Sequence, residues 1–177
     1  DRMAAHCRWL LANGCNGLGV LGTTGEAASI GIQERMDVVD GLAARGIPAA
    51  RMMPGTGTPS LTDTVSLTRH AEKAGCAGAL LLPPFYYKAP SDDGLFAYFS
   101  EVAQRVGGDI KLYLYNFPQQ SAIPFGVELI ARLLKAYPSK FKGIKDSSGD
   151  YANGLAYVEN FARDGFEVYA GDDTLLK

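Results

Sequence analysis

Short apolar runs return along this chain at a nearly constant interval of roughly 30 residues, the length of one strand plus one crossover helix. They are Gly17–Gly22, Ala49–Met53, Gly78–Leu82, Ile110–Tyr115, Lys142–Lys145 and Phe166–Ala170. Between them, apolar residues recur at three- and four-residue steps over Gln33–Ala44, Leu61–Ala74, Asp92–Val106, Gly126–Tyr137 and Tyr151–Arg163. That period predicts helices with one face against a core. A first helix, Asp1–Leu11, closes at Asn13-Gly14, and Ser60 with Asp63, Gly46, Gly75 and Gly107-Gly108 supply start and stop signals. Strands apolar along their whole length are buried on both faces, so the order predicts a parallel sheet covered by helices.

Right-handed crossovers suit an open doubly wound sheet and a (β/α)8 barrel alike. The segments after the strands decide between them. Gly22–Glu26, Pro54–Thr58, Pro83–Tyr87, Asn116–Pro118, Asp146–Gly149 and Gly171–Asp173 are all polar, aromatic or glycine-rich. Functional groups after nearly every strand favour the barrel, whose loops converge on one mouth. Six runs fall short of the eight strands such a barrel builds in about 250 residues. Residues 1–177 are therefore expected to form a single partial TIM-barrel domain of α/β class, without the first and last strands.

A chain 47% hydrophobic and 20% charged has the composition of one globular core. A net charge of −2 gives no basic field to draw nucleic acid or an anionic membrane, which leaves a small neutral or anionic metabolite as partner. Cys7, Cys15 and Cys76 form no CxxC or Cys/His cluster, so neither a disulfide framework nor a metal site is expected, and a cytoplasmic location fits. No apolar run reaches the roughly 18 residues of a membrane span, and the first residues lack a secretory layout. Asp1 in place of Met is not read as a natural start.

Lys145 closes a short apolar run just before the polar turn Asp146-Ser-Ser-Gly149. Desolvation at the mouth of a sheet can lower the pKa of a lysine toward the unprotonated amine that Schiff-base chemistry needs. Gly22-Thr-Thr-Gly-Glu26 offers backbone N–H groups and hydroxyls suited to a carboxylate or phosphate, without the lysine of a nucleotide-binding P-loop. Tyr115 ends a strand in which Lys111, Tyr113 and Tyr115 share a face, and its phenol is placed to move a proton. His6 and His70 fall on helices with no triad motif around them. Asp172-Asp173 precede Leu175 as a helix cap. Taken singly, each of these residues has an ordinary structural explanation.

Taken in order, Gly22-Thr-Thr-Gly-Glu26, Tyr115-Asn-Phe-Pro118, Gly143-Ile-Lys-Asp-Ser-Ser-Gly149 and Gly171-Asp-Asp173 resemble the dihydrodipicolinate synthase / N-acetylneuraminate lyase family of pyruvate-dependent class I aldolases. The resemblance covers essentially the whole chain. It implies a (β/α)8 barrel with a C-terminal helical extension, which the chain lacks, and an intact protein that assembles as a dimer or tetramer. It also implies that Lys145 is the Schiff-base lysine, Tyr115 the proton relay, and Thr23 and Thr24 the pair that binds the pyruvate carboxylate, with Thr23 linked to the relay. Gly171 matches a residue lining the pyruvate pocket. A second tyrosine comes from a neighbouring subunit: Tyr87 when aligned from Pro90-Ser91, Tyr86 when aligned from Pro84.

Synthases of the lysine pathway carry an arginine after the Tyr-Asn-x-Pro motif, whereas this chain has Gln119-Gln120-Ser121-Ala122. Gln120 thus replaces a bidentate carboxylate clamp. The expected activity is a lyase making or breaking carbon–carbon bonds through an imine, with no cofactor. The alternatives are dehydration of a 2-keto-3-deoxy sugar acid through the same imine and a non-catalytic protein that keeps the 2-keto acid pocket.

Overall fold

The computed structural model describes residues 2–176. Helix α1 (Arg2–Ala12) is followed by α2 (Ile32–Ala44) and α3 (Leu61–Lys73). Then strands and helices alternate: β1 (Ala79–Leu81), α4 (Asp92–Val106), β2 (Leu112–Asn116), the short α5 (Pro118–Ser121), α6 (Val127–Ala136), β3 (Phe141–Asp146), α7 (Tyr151–Phe161) and β4 (Glu167–Ala170). Capping fixes where helices begin. The Ser60 hydroxyl accepts from Asp63 N at the start of α3, the Ser91 hydroxyl from Gly94 N at α4, and the Asp150 carboxylate from Ala152 N and Asn153 N at α7. Each bond satisfies an N–H group that the first helical turn leaves without a partner.

The four strands form one parallel sheet in the order β1-β2-β3-β4, with a helix crossing between successive strands. This is the α/β arrangement of a (β/α)8 barrel. The register contains one irregularity: Leu112 pairs with Phe141 but Tyr113 pairs with Gly143, so Lys142 is an extra residue in β3. Beyond that bulge, Tyr115 stands opposite Lys145 and Asn116 opposite Asp146.

The first two expected strands are weaker than their apolar runs suggest. Gly17–Gly22 and Ala49–Met53 take part through the parallel bridge Leu18↔Met52, and Gly55, just past the second run, bridges to Leu80. Backbone bonds still carry the ladder across, from Met53 N to Leu18 O (2.9 Å), Gly55 N to Val20 O (2.9 Å), Ala77 N to Met52 O (2.9 Å) and Leu80 N to Pro54 O (2.9 Å). Two local causes shorten the strands. Leu21 has φ 57°, which ends extended geometry, and Ala49–Arg51 close into a 3-10 turn behind Pro48.

Alternation along the strands sorts side chains into two layers. Ala79, Leu81, Leu112, Leu114, Phe141 and Ile144 face the helices and pack against Leu95, Phe99, Val102, Leu129, Ile130 and Leu133 in the main core. Phe99 anchors it, with ring centroids 5.5 Å from Phe125 and 6.3 Å from Phe141. Leu80, Tyr113 and Tyr115 face the other way and pack with Met53, Leu82 and Phe117. Lys111 precedes β2 and is exposed, so the shared face begins at Tyr113. A third cluster under α1 and α2 includes Ala4, Cys7, Val39, Leu42 and Met52. Among the described residues, no helix is long and apolar enough to cross a membrane.

Candidate active site

The pairing of Tyr115 with Lys145 sends both side chains to the inner face at the C-terminal end of the sheet. Lys145 Nζ donates to Tyr115 Oη at 3.3 Å and lies 4.5 Å from the centroid of the phenol ring. Thr23 Oγ1, from the loop after the first bridged segment, donates to the same oxygen at 3.4 Å. With two donors on its oxygen, the phenol keeps its own proton for another acceptor. Phe117 stacks against Tyr115 at 5.8 Å and 30°, fixing the ring plane.

These groups surround a cavity of about 260 Å³ lined by Thr23, Thr24, Tyr115, Phe117, Lys145, Ser147, Gly171 and Asp172. Gly171 closes one side. Its N–H donates to Asp146 O at 2.7 Å, and a Cβ there would stand 2.9 Å from Asp146 O, 3.0 Å from Lys145 Cε and against Ser147 Oγ. A Cβ at this point would crowd Ser147 Oγ and the Asp146 carbonyl most and the lysine stem less. A second cavity of about 270 Å³ shares Thr23 and Tyr115 and extends past Gln120, Ser121, Phe85 and Leu82 to Arg35.

The structure thus brings together Lys145, Tyr115, Thr23, Thr24 and Gly171, with Gln120 on the adjoining cavity. It does not bring Tyr87 there. Tyr86 and Tyr87 stack edge-to-face at 5.1 Å on the loop after β1, 70% and 79% exposed, and line neither cavity. His6 stacks on Trp9, and His70 Nε2 meets Asp40 Oδ1 at 2.9 Å. Asp172 accepts from Thr174 N at 2.9 Å, capping the turn Asp173–Leu175, and no group of metal-ligating side chains occurs among the described residues.

Behind the Lys145–Tyr115 pair lies a network that the motifs did not reveal. Asp146 is buried and accepts from Asn116 Nδ2 (2.8 Å), Ser148 N (3.0 Å) and Asn153 Nδ2 (3.0 Å), while Asn116 Oδ1 accepts from Phe125 N (3.2 Å). Asn116 follows Tyr115 and Asp146 follows Lys145, so alternation turns each to the helix side. A polar pair at adjacent buried strand positions was the available signal. Arg35 was also missed, although it shares the apolar face of α2 with Val39 and Leu42 at steps of four and seven.

Comparison with known proteins then places the chain. The model of the dihydrodipicolinate synthetase family matches residues 1–177. The chain belongs to this family. A 4-hydroxy-tetrahydrodipicolinate synthase of Methanococcoides burtonii is 36% identical over 160 residues, covering 90% of this chain and 52% of that protein. An uncharacterized DapA-like lyase of Chloroflexus aurantiacus is 33% identical over 175 residues, covering 98% and 57%. Among solved structures, dihydrodipicolinate synthase from Agrobacterium tumefaciens str. C58 superposes with a TM-score of 0.91 at 37% identity, over 95% of this chain and 58% of that one. YagE, a prophage protein of the same family from E. coli K12 in complex with pyruvate, gives a TM-score of 0.86 at 30% identity, over 98% and 59%. The chain therefore spans a little over half the length of the relatives it matches.

Proposed function

We propose that the protein is a Schiff-base lyase acting on pyruvate or a related 2-keto acid. The contact that supports this most directly is the approach of Lys145 Nζ to Tyr115 Oη, with Thr23 bonded to the same oxygen. In this reading the Lys145 amine attacks the ketone carbon, forming a carbinolamine, and loss of water gives the protonated imine. Tyr115 delivers and recovers the protons, since its oxygen touches the amine and its ring is held in place. The imine nitrogen is the electron sink when the adjacent C–C bond is made or broken. Thr23 and Thr24 hold the substrate carboxylate on their exposed loop, and Gly171 leaves room for the lysine stem.

The second substrate enters the adjoining cavity. Its polar lining consists of Thr23, Glu26, Ser29, Gln120 and Ser121, and the guanidinium of Arg35 in its wall is turned to the Ala27 carbonyl. A neutral, hydroxylated aldehyde fits this lining better than a carboxylated one. A 2-keto 3-deoxygluconate aldolase from Picrophilus torridus is among the similar structures, with a TM-score of 0.86 at 25% identity. Dehydration of a sugar acid through the same imine uses the same residues.

Three further elements belong to the proposal. The outer edge of β4, whose residues are exposed or half-buried, pairs with further barrel strands in the whole protein. The exposed Tyr87 is presented to a second copy of the chain in a homo-oligomer. The three free cysteines suit a reducing cytoplasm.

Borohydride reduction in the presence of pyruvate tests the central step. A mass increase on the peptide containing Lys145 is expected, and its absence from the full chain would refute the imine. Turnover with glyceraldehyde rather than aspartate semialdehyde as partner is expected from Gln120; the reverse preference would overturn the assignment of the second substrate.

A further inference from the structure

The loop carrying Thr23 and Thr24 is bracketed by two strained residues. Leu21 (φ 57°) and Glu26 (φ 51°) both occupy the left-handed region, which side-chain-bearing residues keep only where their surroundings over-determine the backbone. From within, Glu26 N donates to Thr23 O at 3.0 Å and Ala27 N to Gly22 O at 3.3 Å. From outside, Arg35 reaches across from α2. Its Nε donates to Ala27 O at 2.8 Å and its Nη2 to the same oxygen.

Arg35 is an expensive residue for this position. Only 5% of it is exposed, its Nη1 is buried with no hydrogen-bond partner, and no carboxylate lies within ion-pair distance among the described residues. Burial pushes the guanidinium pKa down, with the charge of Asp63 opposing the shift. An apolar side chain beside Val39 and Leu42 would avoid both penalties. What the arginine supplies, and an apolar residue cannot, is a forked grip on Ala27 O and a positive charge in the wall of the cavity that Thr23 and Tyr115 also line.

We propose that Arg35 is a positioning residue for the 2-keto acid carboxylate: it pins the strained 22–27 loop at Ala27 O and places a buried positive charge in the wall of the cavity that Thr23 lines. This rests on reading those threonines as the carboxylate cradle. Arg35 touches no substrate in this arrangement and acts through the loop.

The test is borohydride trapping of pyruvate on Lys145 in the full chain, comparing the parent with Arg35→Met and Arg35→Lys. The pyruvate concentration for half-maximal trapping is expected to rise roughly tenfold in Arg35→Met, the scale set by losing hydrogen bonds from a charged donor. It should rise less in Arg35→Lys, which keeps the charge but loses the fork. The trapping rate at saturating pyruvate should stay within about twofold of the parent, because the Lys145–Tyr115 pair is untouched. With pyruvamide, which has no carboxylate charge, the variants and the parent should differ far less. Unchanged half-saturation in both variants, or an equal shift with pyruvamide, would overturn the proposal, and a purely structural role would lower the melting temperature alone. If Arg35→Met fails to fold, Arg35→Lys decides. Absence of an adduct in the parent would instead refute the imine reading itself, so the two failures are distinguishable.

Discussion

The centre of the sheet and its two flanks are built to different standards. In the centre, all five residues of β2 are buried, and β3 is hydrogen-bonded on both sides. At one flank, Gly17–Gly22 manages a single bridge and then turns through a left-handed Leu21; at the other, β4 leaves Glu167, Tyr169 and Ala170 exposed. The proposed chemistry divides along the same line. In the proposed reading Lys145 and Tyr115, which must meet a reacting atom within a fraction of an ångström, stand on the centre, while Thr23 and Thr24, which hold the carboxylate, and Gly171, which leaves room for the lysine stem, stand on the flanks. Rigid placement matters most where a covalent bond forms, since small misplacements there cost orders of magnitude in rate.

Substitutions rank this contrast. Lys145→Ala should remove the borohydride adduct and lower turnover by roughly 10⁴-fold or more, because no other group replaces the nucleophile. Tyr115→Phe should lower turnover by about 10²–10⁴-fold, the range for losing a general acid–base, while pyruvate binding persists. Gly171→Ala, on the flank, should slow imine formation by roughly 100-fold by displacing the lysine stem. If either flank substitution (Thr23→Val or Gly171→Ala) outweighs Tyr115→Phe in a single-turnover assay, the division between centre and flank is wrong.

The network behind the centre should appear in stability. Asp146→Leu leaves Asn116, Asn153 and Ser148 N without their buried acceptor, and a loss of about 2–4 kcal/mol in denaturant unfolding is expected. The smallest effect concerns pH. Partial desolvation and the neighbouring Glu167 push the Tyr169 phenol up to about 12 from 10.0, and the same two causes raise the buried Tyr113. A raised phenol pKa contributes stability that is full below 10.0 and fades as pH climbs toward about 12. Hydrogen exchange should therefore quicken in β4 across that window before it does in β2.

Much of this was legible in the sequence because strand and helix periods differ so clearly. Runs such as Ile110–Tyr115, apolar on both faces, became real strands, and the helices fell within a few residues of their expected bounds. The motifs at the strand ends named five residues that do share one cavity. The bridged segments were less legible, because an apolar run does not report that Leu21 turns left-handed or that Pro48 starts a 3-10 turn. The Asn116–Asp146 pair and Arg35 escaped because polar residues in apolar patterns read as surface until their partners are known.

The extra Lys142 in β3 has the widest consequence. If Lys142 were paired with Tyr113 instead of bulging out, Ile144 would stand opposite Tyr115 and Lys145 opposite Asn116, directed to the helix side, because a shift of one residue exchanges the two faces of a strand. The inserted residue thus acts as a phase setting for the active face. Inserting one residue between Gly143 and Lys145 would leave every one of these residues in the sequence and turn Lys145 into the hydrophobic core, whereas deleting Lys142 would leave Lys145 opposite Tyr115. Insertions and deletions between Gly143 and Lys145 should be far less tolerated than changes at the lysine's neighbours, a constraint on chain length that no list of active-site residues contains.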